Sequence, residues 1–431
     1  MNHLQAWEKF KDITYDELPD DVVKVANQCI LDWFGCAVAG SSEPLSEILR
    51  NQFGHRSGNC TVIGSDLKLE APTAALLNGA AGHALDYDDT GSRTSCHSTA
   101  PVIPAALAVA EDIGASGKAL ITAFVVGVEV EGRIAHAMGR DHYARGWHTT
   151  ATYGTFGATA AVAHLMGLTD EHYGVAMGLA ASHASGVKAN FGTMTKPYHP
   201  GRSAENGINS ARLAAAGFTA NPEAVLGNQG FVQAASTADD PTERLEAVAD
   251  EWMILGTLFK YHAACHLTHS AIESVLKLRT SLNVDDLSSL TITVHPGLLD
   301  VCGIPDPRTG LEGKFSLRGT ASLALNGIDT SNPETFVDEV ISRDEVQQLI
   351  DKVTIETDDS LTQFQSKIVW VDSTQGSHEA FNDLSTPVTD YDEQGRKIDQ
   401  KFDSLCSFAS ADGEKEGARI RALQESERVA L

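Results

Sequence analysis

The stretch "GHALDYDDTGSRTSCHS", Gly82 to Ser98, sets Asp86, Asp88 and Asp89 between His83 and His97. Carboxylates and imidazoles at this density supply general acids and bases whose protonation the surroundings can tune. Three further clusters repeat the theme. "RDHYARGWHTTATYGTFG" carries His142, Tyr143, Arg145 and His148 ahead of a run of small residues. "NFGTMTKPYHPGRSAENG" carries Lys196, His199 and Arg202 in a turn rich in Pro and Gly, and "YHAACHLTHS" carries His262, Cys265, His266 and His269. Twelve of the 16 histidines fall between His83 and His269, the most apolar part of the chain. Each cluster borders a predicted element, where connecting segments carry function. Helix caps and packed imidazoles are the competing account of each.

Several chemistries lack their signatures. His262 and His266, like Cys265 and His269, are four apart and would line helix faces as metal ligands do. The HExxH glutamate is missing, and no metal is expected. "DYDDT" lacks the D-x-[DN]-x-[DN]-G spacing and the closing glutamate of a calcium loop, and its acids would otherwise cap a helix N-terminus. Lys196 sits in no GxxxxGK[ST], and no GxGxxG follows a strand, so neither phosphate cradling nor dinucleotide binding is supported. What remains at "TKPYHPGR" is Lys196 with His199 and Arg202, a group suited to holding carboxylates. The lysine could also take a proton if burial depresses its pKa.

Positioning such groups needs a sizeable scaffold. At 431 residues, with 42% apolar and 21% charged residues, the chain reads as two folded domains. "PDDVVKVANQCILDWFGCAVAG" from Pro19 places apolar residues at three-and-four spacing behind Asp20 and Asp21, which predicts an amphipathic helix ending at Gly40. The Ala-rich, Gly-punctuated stretches that follow predict tightly packed buried helices. Near residue 285 the texture changes: "SLTITVHPG", "DKVTIETDD" and "SKIVWVDST" are short β-branched runs, with "EGKFSLRGTASLALNG" helical between the first two. The expected fold is mainly α, with a large all-helical domain over 1–268 and a smaller α+β domain over 269–395. Residues 396–431 return to a helical pattern and are expected to pack back on the first domain.

The net charge of −26 repels phosphate backbones and anionic bilayers, so neither nucleic acid nor membrane is an expected partner. Seven scattered cysteines without a CxxC pair fit a reducing cytoplasm. The polar start "MNHLQAWEKFKD" has no signal pattern, and no apolar run reads as a membrane span.

Taken together and in order, "GHALDYDDT…CHS", "GWHTTATYGTFGA", "NFGTMTKPYHPGRSAENG", "CHLTHSAIES" and "DPRTGLEGKFSL" resemble the MmgE/PrpD family over nearly the whole chain. That family includes 2-methylcitrate dehydratase, cis-aconitate decarboxylase and iminodisuccinate epimerase. The resemblance implies a helical domain with an α+β lid, usually in a homodimer, working without metal or organic cofactor. It implies a carboxylate site built from Asp86, Thr90, His97, His148 and Lys196. A fifth block falls on Cys265, His266 or His269, of which His269 is taken here. "DHYARGWH" resembles the epimerase branch, in which Tyr143 and Lys196 would form the acid/base pair.

All these activities pass through a carbanion or enolate beside a carboxylate, which imidazolium and ammonium groups can stabilise once water is excluded. The leading expectation is an iminodisuccinate-type epimerase acting on a small di- or tricarboxylate by Cα proton abstraction. A 2-methylcitrate-type dehydratase and a cis-aconitate-type decarboxylase are the enzymatic alternatives, and a non-enzymatic helical interaction protein is the alternative of another class.

Overall fold

Asp20–Gly40 forms the predicted first helix, with both acids in its first turn, where the helix dipole favours negative charge. Val22, Val25, Ala26, Cys29, Trp33 and Ala37 are among the residues it buries. By length and composition it is a candidate membrane span, but 83% of its apolar window is buried inside the fold. The chain is described here by a computed structural model covering residues 5–374 and 376–430. The first four residues of the polar start lie outside the described residues.

The chain divides into two compact units. The first comprises residues up to Ala84, Asp88–Phe259 and the chain from Val388 onward. Its centre is built from the helices Ala71–His83, Thr99–Ile113, Gly117–Met138, Thr149–Leu165 and Thr195–Ala215. Their small residues allow unusually close approach. A Cβ on Gly79 would lie 2.8 Å from the Cα of Gly201, and one on Gly201 would lie 2.2 Å from the carbonyl oxygen of Leu76. The Ala71–His83 and Thr195–Ala215 helices therefore touch backbone to backbone, which only glycine permits. Ser203 Oγ donates to the Ala151 carbonyl at 2.7 Å and ties the Thr195–Ala215 helix to its other neighbour. The helix Tyr391–Phe408 packs on Asp20–Gly40, where Gln28 Nε2 donates to the Tyr391 carbonyl at 2.7 Å and Lys401 Nζ lies 2.6 Å from Asp32 Oδ1.

This unit is not wholly helical. Strands β1 (Ser57–Thr61) and β2 (Lys68–Leu69) form one antiparallel ladder, and β3 (Thr90–Gly91) and β4 (Thr257–Leu258) form another. Two-residue strands carry too little pattern to be read from sequence.

The second unit comprises Leu85–Tyr87 and Lys260–Pro387. Its four-stranded sheet has the order β6-β5-β7-β8, with β5 Leu287–Val294, β6 Val353–Thr357, β7 Gln365–Asp372 and β8 Ser377–Asp383. The β5/β6 pair is parallel and the other two pairs are antiparallel. Leu287, Leu290, Ile292 and Val294 of β5 join Ile368 and Trp370 of β7 in one core, together with Ala271, Ile272 and Val275 of helix His266–Arg279. The predicted helix over "EGKFSLRGTASLALNG" is two helices, Gly310–Lys314 and Leu317–Asn326. The units part at Lys260 and Val388, ahead of the expected 269 and 396. Ala263 N–H donates to the Thr330 carbonyl at 2.8 Å and Cys265 N–H to the Lys314 carbonyl at 3.0 Å, and these bonds bind residues 260–268 to the second unit.

Candidate active site

Three long helices of the first unit start at three of the predicted residues. His97 immediately precedes Ser98, the N-cap of Thr99–Ile113; His148 is the N-cap of Thr149–Leu165; Lys196 is the second residue of Thr195–Ala215. Side chains lock these starts together. The His97 N–H donates to Thr150 Oγ1 at 3.0 Å, and Thr149 Oγ1 donates to the Ser95 carbonyl. Unpaired backbone N–H groups and the positive dipole end make such termini hospitable to anions.

The fourth contributor is His83, the last residue of Ala71–His83. Its Nδ1 lies 2.9 Å from both carboxylate oxygens of Asp88, and His97 Nδ1 lies 3.1 Å from Asp88 Oδ2. The His83 and His97 rings meet edge to face at 4.5 Å, and the His83 and His148 rings stack at 6.1 Å. Beyond them, His148 Nδ1 and His199 Nδ1 are 2.9 Å apart. Phe191 walls this side, with its ring centroid 5.0 Å from the His148 ring and 5.3 Å from the Lys196 ammonium. Lys196, His148 and His199 are all buried, and His97 is half-buried.

Burial and mutual repulsion set the charges. Burial, then the neighbouring His83, Lys196, His199 and His97, holds the His148 pKa well below the usual imidazole value. His199 is pushed down to about 4 by burial, His83 and Lys196. Asp88 is fully buried, and although burial opposes its ionisation, the His83 and His97 imidazoles hold its carboxyl well below the usual range. Asp89 of the same motif behaves oppositely: burial and then Asp32 raise it to about 7, and Thr99 Oγ1 donates to it. In a chain of net charge −26, this is a local concentration of basic groups suited to an anionic ligand.

Asp86 belongs to the second unit. Its φ of +52° puts it in the left-handed region, which Asp tolerates better than most residues. Lys260 Nζ donates to its backbone carbonyl at 2.6 Å and lies 3.0 Å from its Oδ1. His269 is buried in the same unit, its ring 4.9 Å from those of both His262 and His266, and its Nε2 lies 3.1 Å from the Ala264 carbonyl. Burial, then His266, His262 and Lys260, keeps its pKa well below the ordinary value. Cys265 is the N-cap of His266–Arg279 and is itself buried.

The other predicted residues make contacts of their own. Thr90 is buried in β3 and its hydroxyl donates to the Cys96 carbonyl at 3.2 Å, which helps close the loop. Arg202 is exposed and pairs with Glu205. Six residues at about 100° each carry it two-thirds of a turn away from Lys196 on their helix. Tyr143, on the short Asp141–Ala144 helix, has the Lys188 ammonium 3.7 Å from its ring centroid.

His83, Asp88 and Lys260 were not among the predicted site residues. The opening motif displayed the first two, but nothing local separates the three acids of "DYDD", which the fold sends in different directions. Lys260 stands just ahead of "YHAACHLTHS" and was passed over for its histidines. His83, Asp88 and His97 also bring metal-ligand types together, with ligand atoms within 4.8 Å of one another. His83 Nδ1 hydrogen-bonds the carboxylate and His97 Nδ1 lies in ion-pair contact with it, so protons occupy the Nδ1 lone pairs a metal would need there.

A family model described as the MmgE/PrpD N-terminal domain matches residues 7–244, and one described as the MmgE/PrpD C-terminal domain matches residues 262–426. A cis-aconitate decarboxylase of Aspergillus terreus is 30% identical over 369 residues, covering 79% of this chain and 75% of that protein. The Homo sapiens cis-aconitate decarboxylase is 30% identical over 357 residues, covering 79% of this chain and 73% of its own. That of Mus musculus is 27% identical over 360 residues, covering 79% and 72%. Two matched domains that between them span nearly the whole sequence settle the matter: the chain belongs to the MmgE/PrpD family and is an enzyme of it, a lyase or an isomerase.

Proposed function

We propose that this enzyme is a decarboxylase acting on a small unsaturated tricarboxylate of the cis-aconitate class. The observation that carries this reading is the group of buried Lys196, His148 and His199 with half-buried His97, at or near three helix N-termini, and buried His83 at the end of a fourth helix, in a chain whose relatives at 30% identity are cis-aconitate decarboxylases. A tricarboxylate needs several cationic or N–H partners, and this group supplies them in a water-poor setting where each is worth more than in solution.

In the proposed reaction the bond from carbon to one carboxylate breaks and carbon dioxide leaves. The electron pair stays on the carbon framework, delocalised toward a remaining carboxylate. A proton from an imidazole then closes the carbanion at carbon, and solvent restores that proton. Lys196 neutralises the carboxylate that takes up the charge. His148 and His199, kept neutral by burial, offer hydrogen bonds to the substrate without adding charge.

The epimerase expectation rested on Tyr143 as partner to Lys196. The relatives found carry the decarboxylase name, and the ammonium over the Tyr143 ring is that of Lys188. Incubation with cis-aconitate, 2-methylcitrate and iminodisuccinate in deuterated water separates the readings. Carbon dioxide release from cis-aconitate, with one deuterium on carbon in the product, supports decarboxylation. Exchange into iminodisuccinate without net loss, or water loss from 2-methylcitrate, in place of that release overturns it.

A further inference from the structure

We propose that Asp88 is a positioning residue that sets the tautomers of His83 and His97, so that His97 acts through its Nε2 atom. The inference rests on the carboxylate-enzyme reading above and deepens it.

An ionised carboxylate only accepts hydrogen bonds. Asp88 has no exposed surface, so no bulk water competes for its oxygens. Both of its oxygens face imidazole Nδ1 atoms, at 2.9 Å from His83 and at 3.1 Å from His97. The His83 contact is a hydrogen bond, whereas the His97 contact is an ion pair whose angle misses the hydrogen-bond line. A bare ring nitrogen at either distance would set its lone pair against a carboxylate oxygen, so each Nδ1 carries a proton and Nε2 is the remaining atom of each ring. The same logic orients ligand and catalytic histidines elsewhere: the group bonded to one ring nitrogen decides what the other can do.

The two rings then differ by exposure. The His83 side chain is fully buried, whereas 14% of the His97 side chain is exposed, so His97 is the ring that can meet a ligand. His83 braces it edge to face at 4.5 Å and stacks on His148 at 6.1 Å, which makes it a strut between the two halves of the cluster. His83 Nε2 is buried without a hydrogen-bond partner among the described residues, consistent with a ring held in place through Nδ1 alone. The Nδ1–H ring first takes a solvent proton at Nε2 to become imidazolium, beside the Asp88 carboxylate; it then gives that Nε2 proton to the carbanion and returns to the neutral form that Asp88 already holds. No reorientation of the ring is required at either stage.

The test uses the full chain with 15N-labelled histidine. Long-range proton–nitrogen spectra of the wild type should show two rings protonated at Nδ1 that lose this signature in Asp88→Asn, because an amide can accept from one ring only and turns its NH2 toward the other. Turnover of cis-aconitate by Asp88→Asn should fall by about 10²–10⁴-fold in kcat, with KM within about threefold, the pattern of a misdirected tautomer rather than lost binding. His83→Asn, whose amide still donates to Asp88, should keep the His97 signature. An Nε2–H form of His97 in the wild type, or near-normal kcat in folded Asp88→Asn, overturns the assignment. Should Asp88→Asn not fold, the wild-type and His83→Asn spectra decide. The spectra need no substrate, so a wild type that releases no carbon dioxide defeats the decarboxylase reading alone.

Discussion

Nδ1 of His148 and Nδ1 of His199 lie 2.9 Å apart, so one proton sits between them: one ring donates and the other accepts. With both rings neutral, the donor presents a bare Nε2 and the acceptor presents Nε2–H. The pair thus offers one hydrogen-bond acceptor and one donor from two side chains of the same type.

That pairing has a pH signature. His199 has its pKa depressed to about 4, against about 6.5 when unfolded. Between these values the unfolded chain binds a proton that the folded one refuses, so stability falls as pH drops from about 6.5 toward 4 and is insensitive to this group above. Melting temperatures measured across that window should fall less steeply in His199→Gln than in the wild type. Parallel curves would show that the imidazole is not held neutral.

Removing the buried ammonium should separate function from folding. Lys196→Met should lower kcat by at least about 10²-fold, the usual cost of losing one group aimed at developing negative charge. Its melting temperature should stay level or rise, because the variant no longer desolvates a cation. Turnover near that of the wild type would remove Lys196 from the chemistry.

Close helix packing places the site, and it can be tested directly. A methyl on Gly79 would meet the Gly201 Cα at 2.8 Å, backbone against backbone, with no side chain to yield. Gly79→Ala should therefore cost about 3 kcal/mol in urea unfolding, at the upper end for overpacking, and should lower activity through displacement of His83 and Lys196 together. A stability change below about 0.5 kcal/mol would mean that the helices are free to separate.

Tyr143 discriminates between reaction types. Tyr143→Phe keeps the aromatic face beneath the Lys188 ammonium, 3.7 Å away, and deletes only the hydroxyl. Under the decarboxylase reading, kcat should stay within about fivefold, since general acid/base transfer is worth about 10²–10⁴-fold where it operates. A loss of that larger size would restore the phenol as a proton-transfer group.

The parts of this molecule that depend on neighbours along the chain were legible without coordinates. The Asp20–Gly40 helix follows from three-and-four spacing and acids at its start, and β5, β6 and β7 follow from β-branched alternation. Strand β8, "SHEAFND", was not legible, because an edge strand with most of its side chains at least partly exposed carries no apolar alternation. His97, His148 and Lys196 were legible as residue types at element boundaries. That they converge was not, nor that Thr90 spends its hydroxyl on Cys96 and Arg202 its charge on Glu205.

Amino-acid order alone determined which side chains could carry a proton or a charge, and which segments would coil or extend, since both follow from local chemistry and periodicity. Tertiary structure decided that Asp88, and not Asp89, lies between two imidazoles, and that His83 joins them from the far end of another helix. Those outcomes depend on backbones meeting at Gly79 and Gly201, residues 122 positions apart in sequence, and no local pattern encodes a contact at that separation.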